Sequence, residues 1–557
     1  MTDHLGDYAL LGDLHTAALV NSRGGLDWLC LPRFDSAPCF AALTSGDGGG
    51  SWSVSPEQGG PATRRRYRPG TLVLESEWDT PSGTVRVVDC MPPRADTGRI
   101  VRIVEGVTGR VPVHVRFTPR FDHGARTPWI RCTGTTVSVV AGSDTLWLDA
   151  SVPLARVAGH NAADARFTVS AGQEVGFVLT HTSSYLPKPV TPGPGDLLTA
   201  TERLWSKWSA GLGGTGSGDD AVQRSVITLK ALTHTPTGAV ISSPVFRGGR
   251  SAYLCDVVDA SATLRALLDA ELTDEARAWR EWLVRAIAGD PHDAATRYTL
   301  DGRGDPTARA VGTGQLGEVL HGVNSADHLW LPSGDAAWDL QLDLLDHLES
   351  TWNQPDENQD GTGAPLRHRV VSKVRAWAGL DRAIRTADRH GLPGTADRWR
   401  AARSRLRAEV CTKGYDPDRN TFTGHYGSGV VDPALLMMPE VGFLPWQDVR
   451  MRGTLSAVTA ALTTADTDAP VSLAPGTPVT TGFRLTAALH GAGNSAAATA
   501  LLDQLLAARN DVGLFGEFYD PTSRHIGLTP DTASVVSMIN AVRRIRSRLS
   551  SIVVGAG

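Results

Sequence analysis

A chain of 557 residues is too long for one ordinary hydrophobic core and implies two or three domains. Its 41% hydrophobic and 20% charged residues are those of a soluble globular protein, and a net charge of −5 without a long basic run argues against nucleic acid or an anionic membrane as partner. The N-terminus has neither a basic start nor an apolar segment, and no stretch reaches the roughly 18 apolar residues of a membrane span, so a cytoplasmic location is expected.

Residues 1–190 read as an N-terminal β-sandwich domain. Short alternating runs such as Thr71 to Glu75, Val85 to Val88 and Val111 to Val115 are separated by Gly, Pro, Ser and Asp turns, and Thr136 to Ala150 and Ala165 to Leu179 repeat the style. The Pro- and Gly-rich run Pro187 to Gly195 marks a boundary. Residues 191–218 form a linker, with a helix expected over Leu197 to Ala210 and a Gly/Ser-rich break after it. Residues 219–557 change to helical periodicity. Twelve helices are expected to begin near Asp219, Asp259, Asp274, Pro306, Ala336, Val370, Thr395, Pro433, Val449, Thr480, Ser495 and Asp531. Gly391 and Gly414 stand where helices should stop. Twelve antiparallel helices in pairs can close into a double ring, although an open helical solenoid satisfies the same periodicity.

Six scattered cysteines, Cys30, Cys39, Cys90, Cys132, Cys255 and Cys411, lack any CxxC pair and are expected as free buried thiols. No cluster of His, Asp and Glu has metal-ligand spacing, and no cofactor is expected. The short basic runs Arg64-Arg65-Arg66 and Arg543-Arg544-Ile545-Arg546 are read as solvated faces.

The stretch from Trp352 to Arg382 draws attention on chemistry. Asp356, Glu357 and Asp360 lie in a loop loosened by Gly361 and Gly363. A helix with Val371, Val374, Trp377 and Ala378 on one face follows. A loop that brings carboxylates to the mouth of a helical scaffold is a common way to build an acid/base site. A solvated loop before an amphipathic helix is the plainer alternative.

The chain resembles glycoside hydrolase family 15, the glucoamylase- and trehalase-like enzymes. The likeness is carried by the opening Asp7 to Leu43, by Pro119 to Trp129, by Asp259 to Ile287 and by Leu340 to Leu348. It continues through WNQPDE at Trp352 to Glu357, through Ser372 to Ala383, and through Asn510 to Ser523. The resemblance implies a multidomain protein: an N-terminal antiparallel β-supersandwich followed by an (α/α)6 barrel with its site at one mouth. It also implies inversion by two glutamates, one protonating the leaving oxygen and one activating water, roughly 6.5–9.5 Å apart.

Taken residue by residue, the match is uneven. Glu517, in GLFGE at Gly513 to Glu517, matches the base. The acid of the family aligns with Gly361, so Asp360 or Glu357 would have to serve through a shifted loop. Asp259, which would hold glucose hydroxyls, is kept. The neighbouring arginine and tryptophan have become Val258 and Asp256, and the histidine of the last motif aligns with Val535. The segment His328 to Asp335 replaces a usual Arg and Asn.

Losing several fixed partners of a sugar argues for a larger, less polar ligand. Trp330, Trp352, Trp377, Phe518 and Tyr519 would line its cleft. The leading expectation is therefore non-hydrolytic acid/base chemistry on a small molecule in specialised-metabolite biosynthesis, such as dehydration or ring closure. Glu517 would be the base, Asp256, Asp259 and Asp360 candidate acids, and Tyr253, His328 and Lys373 candidate donors. The alternatives are an inverting α-glucoside hydrolase, glucoamylase- or trehalase-like, and a non-catalytic carbohydrate-binding scaffold.

Overall fold

Short runs of β-branched and aromatic residues between Gly and Asp turns pair antiparallel from Ala9 to Ser183, giving fifteen strands in one continuous sheet. The computed structural model describes residues 5–212, 219–245, 253–257, 260–325, 336–356, 365–464, 471–522 and 527–554. The spine of the sheet is the 20-residue strand Arg99–Thr118. Its first half pairs with Gly83–Cys90 and Glu174–Ser183, and its second half with Ser51–Pro56 and Ala163–Ser170. The strand turns from one layer to the other at Gly109, whose φ of +66° suits glycine. Beyond this pivot Val111, Val113, Val115 and Phe117 point inward and alternate with half-buried neighbours, which is the period the sequence carries. The first half is buried on both faces. Arg102 is accommodated there by Asp89 at 2.8 Å and by the carbonyls of Gly24 and Trp52.

A single helical turn, α1 (Ala42–Ser45), interrupts the strands, and α2 (Pro194–Ser209) follows them, opened by a proline that needs no N–H partner. Eleven further helices run from α3 (Asp219–Ala231) through α4 (Ala260–Asp269), α5 (Thr273–Ala286), α6 (Thr313–Val323), α7 (Ala336–Thr351), α8 (Val370–His390) and α9 (Ala396–Lys413). They end with α10 (Val449–Leu462), α11 (Val479–Gly491), α12 (Ser495–Ala507) and α13 (Thr532–Val554). A short 3-10 helix, Pro433–Met437, lies between α9 and α10. The members α4, α6, α8, this 3-10 helix, α11 and α13 touch in a closed cycle, and α3, α5, α7, α9, α10 and α12 pack outside it. Outer and inner members alternate along the chain, so the ring is an (α/α)6 barrel and an open solenoid is excluded.

Two helices depart from expectation. The start expected near Pro306 is at Thr313, because Asp305 caps a turn at Thr307 and the segment beyond it pairs with Ala295 instead. The helix expected at Pro433 stops after five residues, since Pro439 lacks the N–H to continue it and Gly442 follows. Gly391 ends α8 at φ +63°, whereas Gly414 closes α9 in right-handed geometry.

The basic runs are not solvated faces throughout. Strand alternation sends Arg64 and Arg66 outward to Glu77 and Glu75, but turns Arg65 inward, 2% exposed, onto Asp511 of the barrel at 2.6 Å. Asn510 donates to the carbonyls of Gly6 and Tyr8, both at 3.0 Å, and the Arg224 guanidinium stacks 4.0 Å over Tyr67. The barrel is thus clamped to the sheet directly beside the Gly513 to Glu517 loop. Of the cysteines, Cys30, Cys39, Cys90 and Cys255 are buried, Cys132 and Cys411 half-buried, and all six are free. No helix among the described residues is long and apolar enough to cross a membrane.

Candidate active site

The inner helices all point the same way, so their N-termini share one mouth. At one side of it Gly516 and Glu517 bind the starts of α11 and α13. The Glu517 carbonyl accepts from Val479 N–H at 2.9 Å, and the Gly516 carbonyl accepts from Ser534 Oγ at 3.0 Å. The Glu517 carboxylate is half-buried, and its Oε2 accepts from Leu528 N–H at 3.1 Å. It lies against Gly527 so closely that a Cβ there would come within 2.5 Å of Oε2. Its Oε1 makes no hydrogen bond among the described residues.

At the other side Asp356 Oδ2 accepts from Gly314 N–H at the start of α6, and Asp356 pairs with Arg367 by two backbone hydrogen bonds of 2.8 and 2.9 Å. That pairing closes the base of the acidic loop just before α8. In the ring α6 is opposite α11, and α8 is opposite α13. Glu517 and the foot of the acidic loop therefore stand across the mouth from each other.

Several expected ligand contacts are corrected. Lys373 is not a free donor: it is fully buried, and its Nζ donates to the carbonyls of Trp352 and, at 2.5 Å, Gln354. Burial lowers its pKa to about 8. It fastens the acidic loop to α8 from below. Asp256 is turned to solvent, because strand alternation places Cys255 and Val257 inward on either side of it. Trp352, Trp377 and Tyr519 are core residues rather than cleft walls. Trp377 meets Phe443 edge-on at 5.2 Å, and Tyr519 is held between Gly476 and Thr477 by main-chain bonds. Tyr253 is half-buried and packs on the core. Glu357, Asp360, Gly361, Val258, Asp259, His328 and Trp330 lie outside the described residues.

The sequence reading missed the axis of the barrel. Below the mouth a cavity of about 70 Å³ is lined by Arg265, Glu318, His321, Arg375, Glu440, Arg484 and Arg544, with Phe483 and Met437 beside them. Ser261 Oγ donates to Glu318, and Arg544 pairs with Glu440. Arg544 thus reaches the cavity, contrary to the solvated reading of its run. The signal was present: Glu318, His321 and Arg375 stand among the apolar positions of their helices.

Comparison with known proteins agrees with this architecture. Residues 3–190 match the trehalase-like N-terminal model, and residues 216–318 and 320–467 match the model of glycosyl hydrolases family 15. A trehalase of Mycolicibacterium smegmatis is 27% identical over 97% of this chain and 90% of its own length. A trehalase of Thermoplasma volcanium is 26% identical over 81% and 78%. The crystal structure of a bacterial glucoamylase complexed with acarbose superposes with a TM-score of 0.76 at 11% identity, covering 98% of this chain and 94% of that one. Through its trehalase-like N-terminal domain and the glycosyl hydrolases family 15 domain that follows it, the chain belongs to glycoside hydrolase family 15.

Proposed function

We propose that the protein is an inverting α-glucoside hydrolase, with trehalose the first substrate to try. The observation that carries this reading is the end-to-end likeness to trehalases, 27% identity over 97% of the chain, together with Glu517 at the mouth. Glu517 would take a proton from water through its Oε1. The acid would come from Glu357 or Asp360, on the loop whose foot stands opposite. An inverting pair needs room for that water between the two carboxyls, and opposite sides of a barrel mouth supply it. The relatives favour hydrolysis over dehydration or ring closure, which rested on Val258, Asp256, Gly361 and Val535.

The test is glucose release from trehalose, maltose and starch by the full chain, repeated with Glu357→Gln and Asp360→Asn. Release from at least one sugar is expected, with one of the two variants slowed about 10²–10⁴-fold as the acid. No glucose from any of the three would reject the hydrolase reading and return the case to non-hydrolytic chemistry.

A further inference from the structure

The cavity on the barrel axis is more basic than a self-contained ion network. Among the described residues, four guanidinium groups and two carboxylates line it, an excess of two positive charges. Both carboxylates are already engaged. Glu440 is held by Arg544, with Arg265 at 4.0 Å, and Glu318 accepts from Ser261. Arg375 comes no nearer to Glu318 than 3.7 Å, and its Nε and Nη1 have no hydrogen-bond partner although the residue is only 5% exposed. His321, 1% exposed, likewise leaves Nδ1 unpartnered. Arg484 lines the same space from α11 and makes no ion pair among the described residues. Buried N–H groups without acceptors are costly, and guanidinium forks match oxyanions in geometry. From Val479, the anchor of the Glu517 loop, Arg484 is five residues down α11, about 7.5 Å along the axis at ~1.5 Å per residue. The cavity thus lies beneath the level at which that loop is anchored.

We infer that this cavity is a subsite for an oxyanion, a phosphate or carboxylate group bound by Arg375 and Arg484 with His321 as a third donor. In its stronger form the anion belongs to the substrate, so that the preferred glucoside is an acidic or phosphorylated one. That form rests on the hydrolase reading above, whereas binding of the anion itself does not.

Isothermal titration of the full chain with inorganic phosphate and with acetate measures the subsite without any turnover. Saturable binding of phosphate is expected, weakened at least about tenfold in Arg484→Gln and in Arg375→Gln. Arg484 is only half-buried, so its variant keeps the test open should Arg375→Gln fail to fold. No saturable binding of either anion to the folded wild-type chain, or unchanged binding in Arg484→Gln, overturns the proposal. Rates with trehalose and trehalose 6-phosphate in phosphate-free buffer then identify the source. A kcat/KM at least tenfold higher for the phosphorylated sugar, lost in Arg484→Gln, assigns the anion to the substrate. Phosphate binding without that preference assigns it to a free anion and overturns the stronger form. If trehalose, maltose, starch and trehalose 6-phosphate are all left uncleaved while phosphate still binds, the hydrolase reading fails and the subsite stands.

Discussion

Lys373 shows how a residue type that suggests chemistry can serve structure instead. Its Nζ is spent on two carbonyls, those of Trp352 and Gln354, at the foot of the acidic loop. Lys373→Met removes both donors and leaves two buried acceptors, at about 1–3 kcal/mol each. A fall in stability of that size is expected in urea titration at pH 7. The pH dependence has a definite sign. The folded Lys373 releases its proton at about 8, below its ordinary 10.5, so between these values the unfolded chain holds more protons. Wild-type stability relative to Lys373→Met should therefore rise from pH 8 to 10.5 and fall back as pH drops through 8. A gap that shrinks on going to alkaline pH would refute this account of the residue.

At the scale of elements, the contact between α6 and α8 sets the interior. Gly314 lies against Ser372, and Gly317 against the Arg375 backbone and Gly379, so closely that a Cβ at Gly317 would come within 2.4 Å of the Arg375 carbonyl. This approach brings Glu318 and Arg375 onto the axis together. Gly317→Ala forces the helices apart and should cost about 1–3 kcal/mol by overpacking, with a melting temperature about 1–3 °C lower. A melting temperature unchanged within a degree would contradict the close packing. Most helices were legible from their 3.6-residue period, and eleven of the twelve expected starts fall within a residue of those observed. The strands were legible from their alternation. Two things were not: which faces close on one another, because Arg65 and Arg544 read as surface charges until their neighbours are known, and where Asp305 and Pro439 override helical periodicity.

On the scale of the whole molecule, the β-sheet is a support for the Glu517 loop. Asn510 spans both parts: its amide donates to Gly6 and Tyr8, while its Oδ1 accepts from Val512 and Leu514 at 3.2 and 2.9 Å. Glu517 is seven residues further on, in the same turn that Asn510 folds. Asn510→Ala, losing four hydrogen bonds, is expected to cost roughly 2–4 kcal/mol and to lower kcat through displacement of Glu517. A variant with full activity and unchanged melting would separate the sheet from the site. The central claim, that Glu517 is the base of a family 15 hydrolase, is tested most directly by glucose release from trehalose in wild type and Glu517→Gln, with melting curves for both. The account predicts release by the wild type, a loss of about 10²–10⁴-fold in the variant and melting temperatures within a few degrees of each other. Full-rate release by a folded Glu517→Gln would contradict it.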